Sequence, residues 1–132
     1  MADGFVNTDN DALTEKIIGA AYSVANTLGY GFLEKVYENA LALELKELGL
    51  KVEQQKSISV FYKNVNVGDY IADLIVEDTV LIELKSVKNL SDIHKAQLLN
   101  YLTATKKSVG LLINFGSPRV EIKRVLSNKN NP

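Results

Sequence analysis

Asp73, Glu83 and Lys85 sit in two short apolar runs, Tyr70 to Val76 and Val80 to Val87, separated only by Glu77-Asp78-Thr79. If that trio is a turn and Val76 pairs with Val80, the antiparallel register puts Asp73 opposite Glu83 and Ile71 opposite Lys85, all four on one face. Opposed side chains in such a pair have β-carbons about 4.5 to 5.5 Å apart, and like charges there destabilise the sheet. A divalent cation relieves the repulsion, because it takes several oxygens at about 2.0 to 2.6 Å, and Lys85 adds positive charge two residues along. Ile71, Ile75 and Leu81 share the charged face, while Ala72, Leu74, Val76, Ile82 and Leu84 fill the other. The hairpin is therefore expected in the middle of a covered sheet. Carboxylates half withdrawn from water need a partner, which a metal ion would supply and so would a plain Asp73-Lys85-Glu83 salt-bridge cluster.

Two helical segments offer further polar groups. Between Leu33 and Leu48, Glu34 falls on one stripe with Tyr37, Leu41, Leu45 and Leu48, which makes it a third carboxylate for the same ion. A glutamate in the first turn is equally explained by the helix macrodipole. Between Asp92 and Thr105, His94, Gln97 and Tyr101 lie at i, i+3 and i+7 beside the apolar Leu98, Leu99 and Leu102. Gln97 both donates and accepts, which suits orienting a phosphate or a water. His94 reads either as a ligand or as a capping histidine near the helix start.

The elements that must position these groups follow from periodicity. Met1 to Asn10 is polar and aperiodic, a lead-in ending in the capping residues Thr8, Asp9, Asn10 and Asp11. A first helix is predicted over Leu13 to Leu28, with Gly29 as its stop, and a second over Leu33 to Leu48, closed by Gly49. Ile58, Val60 and Tyr62 alternate with Ser57, Ser59 and Phe61 as in a strand, and Lys63-Asn64 makes a turn. After the two charged strands, Ser91 and Asp92 cap a helix to about Thr105. Strands over Val109 to Phe115 and Val120 to Leu126 flank Gly116-Ser117-Pro118, and Ser127 to Pro132 is a loose tail. The order is α-α-β-β-β-α-β-β, an α/β (α+β) domain with a mixed central sheet flanked by helices.

Bulk properties bound the chemistry. A chain of 132 residues fits one domain, 1–132, and at this size about two-thirds of the unfolded surface is buried on folding. With no cysteine and one histidine, disulfides and thiolate sites are excluded, and a metal must sit on oxygen or on His94; a hard cation such as magnesium is the default. No stretch approaches the roughly 18 to 20 apolar residues of a membrane span, and Met1 to Asp11 lacks the basic start and apolar core of a signal peptide, so a cytoplasmic protein is expected. The net charge of −1 hides an asymmetry. Residues 1–79 carry six basic and thirteen acidic side chains, and residues 80–132 carry nine basic and three acidic. The second part suits phosphates, unless folding intermixes the charges as ordinary solvated surface.

Asp73 followed by Glu83-Leu84-Lys85 on consecutive strands, with a helix after them, resembles the PD-(D/E)XK nuclease superfamily, whose α-β-β-β-α-β core matches this chain from Leu33 onward. Gly31-Phe32-Leu33-Glu34-Lys35-Val36-Tyr37 is similar to the signature of the GxxExxY family, a branch of that superfamily. That similarity extends to Tyr70-Ile71-Ala72-Asp73, His94-Lys95-Ala96-Gln97 and Asn114-Phe115-Gly116. Gln97-Leu98-Leu99-Asn100-Tyr101 is similar to the Gln-x-x-x-Tyr motif of exonuclease domains in bacterial recombination helicase-nucleases. Ala72 stands where the superfamily name has Pro, and Tyr30 where a Pro is expected between two glycines.

The resemblance implies Asp73, Glu83 and the Leu84 carbonyl as ligands of Mg2+ or Mn2+, with Glu34 as the helix acid. Lys85 would position or deprotonate the attacking water, and Gln97 with Tyr101 would frame the substrate strand. His94, Lys88 and Lys95 join the substrate-binding set, and Lys106, Lys107, Arg119 and Arg124 are further phosphate contacts. The expected function is metal-dependent phosphodiester hydrolysis of nucleic acid, DNA before RNA. The alternatives are a non-catalytic nucleic-acid-binding or regulatory module that keeps the fold, and a protein-interaction subunit whose partner supplies the substrate. A homodimer is allowed by analogy, because many superfamily nucleases cut two strands with two subunits.

Overall fold

Helices α1 (Thr8–Leu28) and α2 (Glu34–Glu47) precede strands β1 (Val52–Tyr62), β2 (Val65–Val76) and β3 (Val80–Lys85), then α3 (Asp92–Thr105), β4 (Val109–Asn114) and β5 (Glu121–Leu126). This computed structural model describes residues 8–127. The remainder of the expected lead-in and tail lies outside the described residues. The five strands form one sheet in the order β1-β2-β3-β4-β5. Neighbours are antiparallel except β3 and β4, which run parallel with α3 as their crossover. The α/β class and the element order are those the periodicity predicts.

Two cores sandwich the sheet. On one face Ile17, Ala21 and Val24 of α1 and Tyr37, Leu41 and Leu45 of α2 pack on Leu74, Val76, Ile82, Leu84, Leu111 and Ile113. On the other, Leu98 and Leu102 of α3 pack on Tyr70, Ala72, Ile75, Leu81, Leu112 and Val125. The central strands β3 and β4 are covered on both sides, which is why they read as continuous apolar runs. No helix among the described residues is long and apolar enough to cross a membrane.

Several boundaries differ from expectation. The first helix begins at Thr8, a full turn early, where Thr14 Oγ1 donates to the Asp11 carbonyl at 3.0 Å and Asp11 pairs with Arg124 of β5. Asp11, expected only as a capping residue, is thus tied to the sheet. Strands β1 and β2 are far longer than their apolar cores. Lys63 and Asn64 both adopt positive φ, 51° and 63°, the two-residue turn whose twist matches paired strands, so pairing continues to the tip.

The faces of β2 also depart from strict alternation. Tyr70 and Ala72 pack with α3, whereas Leu74 and Val76 pack with α1 and α2, so the strand changes face at Asp73. Ala72 therefore does not share a face with Leu74. The ladder between β2 and β3 ends at Leu74–Ile82 and Ile71 is 53% exposed, so the expected Ile71-Lys85 opposition does not form. The physical reason is that β2 and β3 part company before reaching those residues.

Candidate active site

Backbone pairing of β2 with β3 runs from Val76–Val80 to Leu74–Ile82. At the next step the side chains take over. The Asp73 N–H donates to Glu83 Oε1 at 3.3 Å, and the Leu84 N–H donates to Asp73 Oδ2 at 2.8 Å. Asp73 and Glu83 are thus held at the fork by each other's strands, both half-buried. The hairpin register of the sequence reading holds for the turn, and it brings these two acids together.

The electrostatics follow from that burial. Glu83 is pushed up to about 7, first by desolvation and second by the charge of Asp73. Burial raises Asp73 as well, opposed by the Leu84 N–H and the Gln55 amide. The Lys85 charge draws both acids downward. Yet neither acid forms an ion pair among the described residues, where the pairs are Lys35–Glu38, Lys51–Asp78, Lys56–Glu53 and Arg124–Asp11. The Asp73-Lys85-Glu83 salt-bridge cluster is therefore not what holds the acids.

Tyr70 completes the floor on the α3 side. Its hydroxyl donates to Glu83 Oε1 at 2.6 Å, and its ring stacks on Tyr101 at a centroid distance of 3.5 Å. Tyr101 is connected to the acids through Tyr70. Gln97, one turn earlier on α3, is exposed, as are Lys88 and Lys95. His94 is half-buried, and its Nδ1 accepts from the Ser91 N–H at 3.1 Å, which is the capping reading of that residue.

Glu34 lies apart from the acids. It is exposed in the first turn of α2, and its Oε2 accepts from the Ser86 N–H at 3.2 Å, just past Lys85. Among the described residues no three acids or histidines gather where one ion would bind. The buried stripe of α2 is Tyr37, Glu38, Leu41, Ala42 and Leu45, with Leu48 51% exposed, so the acid facing the sheet is Glu38. Gln55 Nε2 links it to Asp73, 2.7 Å from Glu38 Oε1 and 3.3 Å from Asp73 Oδ1. Sequence reasoning missed Glu38, Gln55 and the role of Tyr70. Glu38 had a legible signal, because it precedes Leu41, Ala42 and Leu45 at helical spacing.

The glycine and tyrosine around Glu34 have structural work. Gly31 sits at φ +117, and the Tyr37 hydroxyl donates to the Gly29 carbonyl at 2.6 Å while accepting from the Phe32 N–H at 3.2 Å. Tyr37 also stacks on Phe115 at 4.6 Å. The joint between α1 and α2 is thereby fixed against the ends of β3 and β4. On the far side of those ends, buried Asn114 clamps the loop after Lys85 through the N–H and carbonyl of Val87, each at 2.9 Å.

Comparison with known proteins agrees with this architecture. A family model described as the PD-(D/E)XK nuclease superfamily matches residues 11–125. A search of the curated proteins gives no match. Among solved structures, the fold is similar to the crystal structure of SSO0001, with a TM-score of 0.55 and 20% sequence identity over 91% of this chain. This chain spans 60% of the length of that one.

Proposed function

The chain belongs to the PD-(D/E)XK nuclease superfamily, and from that premise we propose that it hydrolyses phosphodiester bonds of nucleic acid, DNA before RNA, at the fork of β2 and β3. The observation that carries this reading is the Asp73 and Glu83 pair, half-buried without a cationic partner at ion-pair distance among the described residues, with the Lys85 charge acting on both. Membership of the GxxExxY branch, on the Gly31, Glu34 and Tyr37 pattern, is part of the same reading.

The donor set fits a hard divalent ion. Two carboxylates, with no third acid gathered beside them among the described residues, suit Mg2+ or Mn2+, which keep several waters and use substrate phosphate as a further ligand. Asp73, Glu83 and the Leu84 carbonyl would hold it, and Glu34 belongs to the α2 end of the cleft. When bound, the ion polarises the scissile phosphate and lowers the pKa of the attacking water. Lys85 places an ammonium where negative charge grows on the phosphate in the transition state. Tyr70 keeps the Glu83 carboxylate oriented. Gln97 and Tyr101 position the substrate strand, and Lys88, Lys95 and the Nε2 left to His94 contact its backbone. Phosphate contacts of this kind make binding fall steeply with salt.

The test is Mg2+ or Mn2+ titration followed by cleavage assays on single-stranded, duplex and branched DNA and on RNA. Asp73→Asn, Glu83→Gln and Lys85→Ala are each expected to remove most cleavage while nucleic-acid binding survives. A parent that shows neither metal-dependent stabilisation nor cleavage of any substrate, yet binds nucleic acid, is a binding module instead.

A further inference from the structure

Within β1, Gln54 pairs with Leu74 and Lys56 with Ala72, so Gln55 falls opposite Asp73, and there its backbone turns to φ +51. A residue with a side chain is disfavoured in that left-handed region, and more so inside a strand. The turn interrupts the ladder at the residue where β2 changes face. It also aims the Gln55 amide into the site, where one Nε2 group lies between Glu38 Oε1 at 2.7 Å and Asp73 Oδ1 at 3.3 Å.

Glu38 is a fixed anchor for that amide. It is 4% exposed, and its other oxygen accepts from Lys35 Nζ at 3.0 Å and from Gln54 Nε2 at 2.7 Å. Gln54 is in turn bound to Asn39 Oδ1 at 2.9 Å. Asp73 is therefore gripped from two sides, Oδ2 by the Leu84 N–H of β3 and Oδ1 by an amide anchored in α2.

We propose that Gln55 and Glu38 are positioning residues, a clamp that fixes the Asp73 carboxylate in the orientation it needs to bind a divalent cation. The functional half rests on the metal reading above, whereas the clamp itself does not. An amide can hold a carboxylate this way without adding charge, so the site keeps its affinity for a cation. The strained turn at residue 55 is the local cost of placing that amide.

Gln55→Gly separates the amide from the turn, because glycine accepts the left-handed backbone and Glu38 keeps Lys35 and Gln54 as partners. Mn2+ binding is measured by calorimetry on the metal-free parent and on this variant, beside the melting temperature of each without metal. The clamp requires near-equal melting with Mn2+ affinity weakened about 10-fold, the size typical of losing a group that orients a ligand. Equal affinity overturns it, since residue 55 would then provide only the turn. A parent that binds no Mn2+ removes the metal reading and leaves the clamp to be judged on the metal-free chain. There, and also if the variant fails to fold, the Gln55 side-chain amide is followed by 15N-resolved NMR. Resonances that move in both Asp73→Ala and Glu38→Gln support the clamp, and an amide indifferent to Asp73→Ala overturns it.

Discussion

Asp73 and Glu83 each bind the other's strand, through the Asp73 N–H on Glu83 Oε1 and the Leu84 N–H on Asp73 Oδ2. Two like-charged side chains thereby replace the rungs that backbone bonds would form beyond Leu74 and Ile82. Their places are set by the fork and do not depend on an ion, so a cation would find its ligands already oriented.

Adding Mg2+ or Mn2+ is expected to raise the melting temperature, because the ion binds the folded chain alone. At 100 times the dissociation constant the gain is about 2.7 kcal/mol, roughly 10 °C for a chain of this length. Asp73→Asn should remove most of that rise. Without metal it should melt no lower than the parent, because it also removes one of two repelling charges. Calorimetric scans of both proteins with and without metal decide the matter, and a parent indifferent to both ions would take the ion out of the site.

The pH dependence has a definite sign. Glu83 is raised from 4.5 to about 7 and Asp73 moves the same way, so the folded chain keeps protons that the unfolded chain has already released. The stability that Glu83 contributes is full below its unfolded value and is lost as pH rises through about 7. Metal must displace that proton, so the metal-induced rise in melting temperature should grow from about pH 5 to about pH 8. Glu83→Gln should flatten the metal-free profile relative to the parent. A parent that gains stability over this range relative to Glu83→Gln would reverse the assignment.

Tyr70→Phe removes one hydroxyl and keeps the ring on Tyr101. Its bond to Glu83 favours the carboxylate form, so the variant should titrate Glu83 at higher pH than the parent. The expected loss of stability is about 1 kcal/mol, that of one hydrogen bond. Carboxyl-carbon NMR of Glu83 against pH measures the shift, and a move to lower pH would mean that the bond serves the protonated acid.

The elements were legible because their apolar periods are clean, and the acid pair was legible because a three-residue turn fixes the register of Asp73 and Glu83. What escaped was tertiary. Glu38 was readable from its spacing to Leu41, Ala42 and Leu45, but Glu34 stands four residues before it on nearly the same stripe, and helical period alone does not tell that Glu34 stays exposed at the start of α2 and reaches Ser86. Gln55 gives no local sign of its left-handed backbone, since neither glycine nor asparagine marks the spot. The change of face at Asp73 is equally silent, because Ala72 is small and apolar enough to suit either side of the sheet. The length of the β1–β2 ribbon was hidden because Glu53 to Lys56 is a polar run without alternation, and because Gly68 and Asp69 cut off the short alternation begun by Val65 and Val67.

Two glycines should respond to alanine with opposite signs. A Cβ on Gly116 would lie 2.3 Å from the Val87 N and 2.4 Å from the Val87 O, both backbone atoms of the loop that follows Lys85. That loop is pinned by Asn114, which holds Val87 on both sides and also binds the Gly116 N–H at 2.9 Å. It cannot yield without breaking those bonds, so Gly116→Ala should cost about 2 to 3 kcal/mol, in the range of overpacking, and disturb Lys85 with it. Gly19 lies exposed inside α1, with nothing within 4 Å of its would-be Cβ. There the substitution meets no neighbour and restricts the unfolded chain, so Gly19→Ala should stabilise by about 0.5 to 1 kcal/mol. Denaturant melts of the two variants read both signs. A neutral Gly116→Ala would show that the loop is free to move away from β4, and the Asn114 clamp would then not be what holds the Lys85 end of the site.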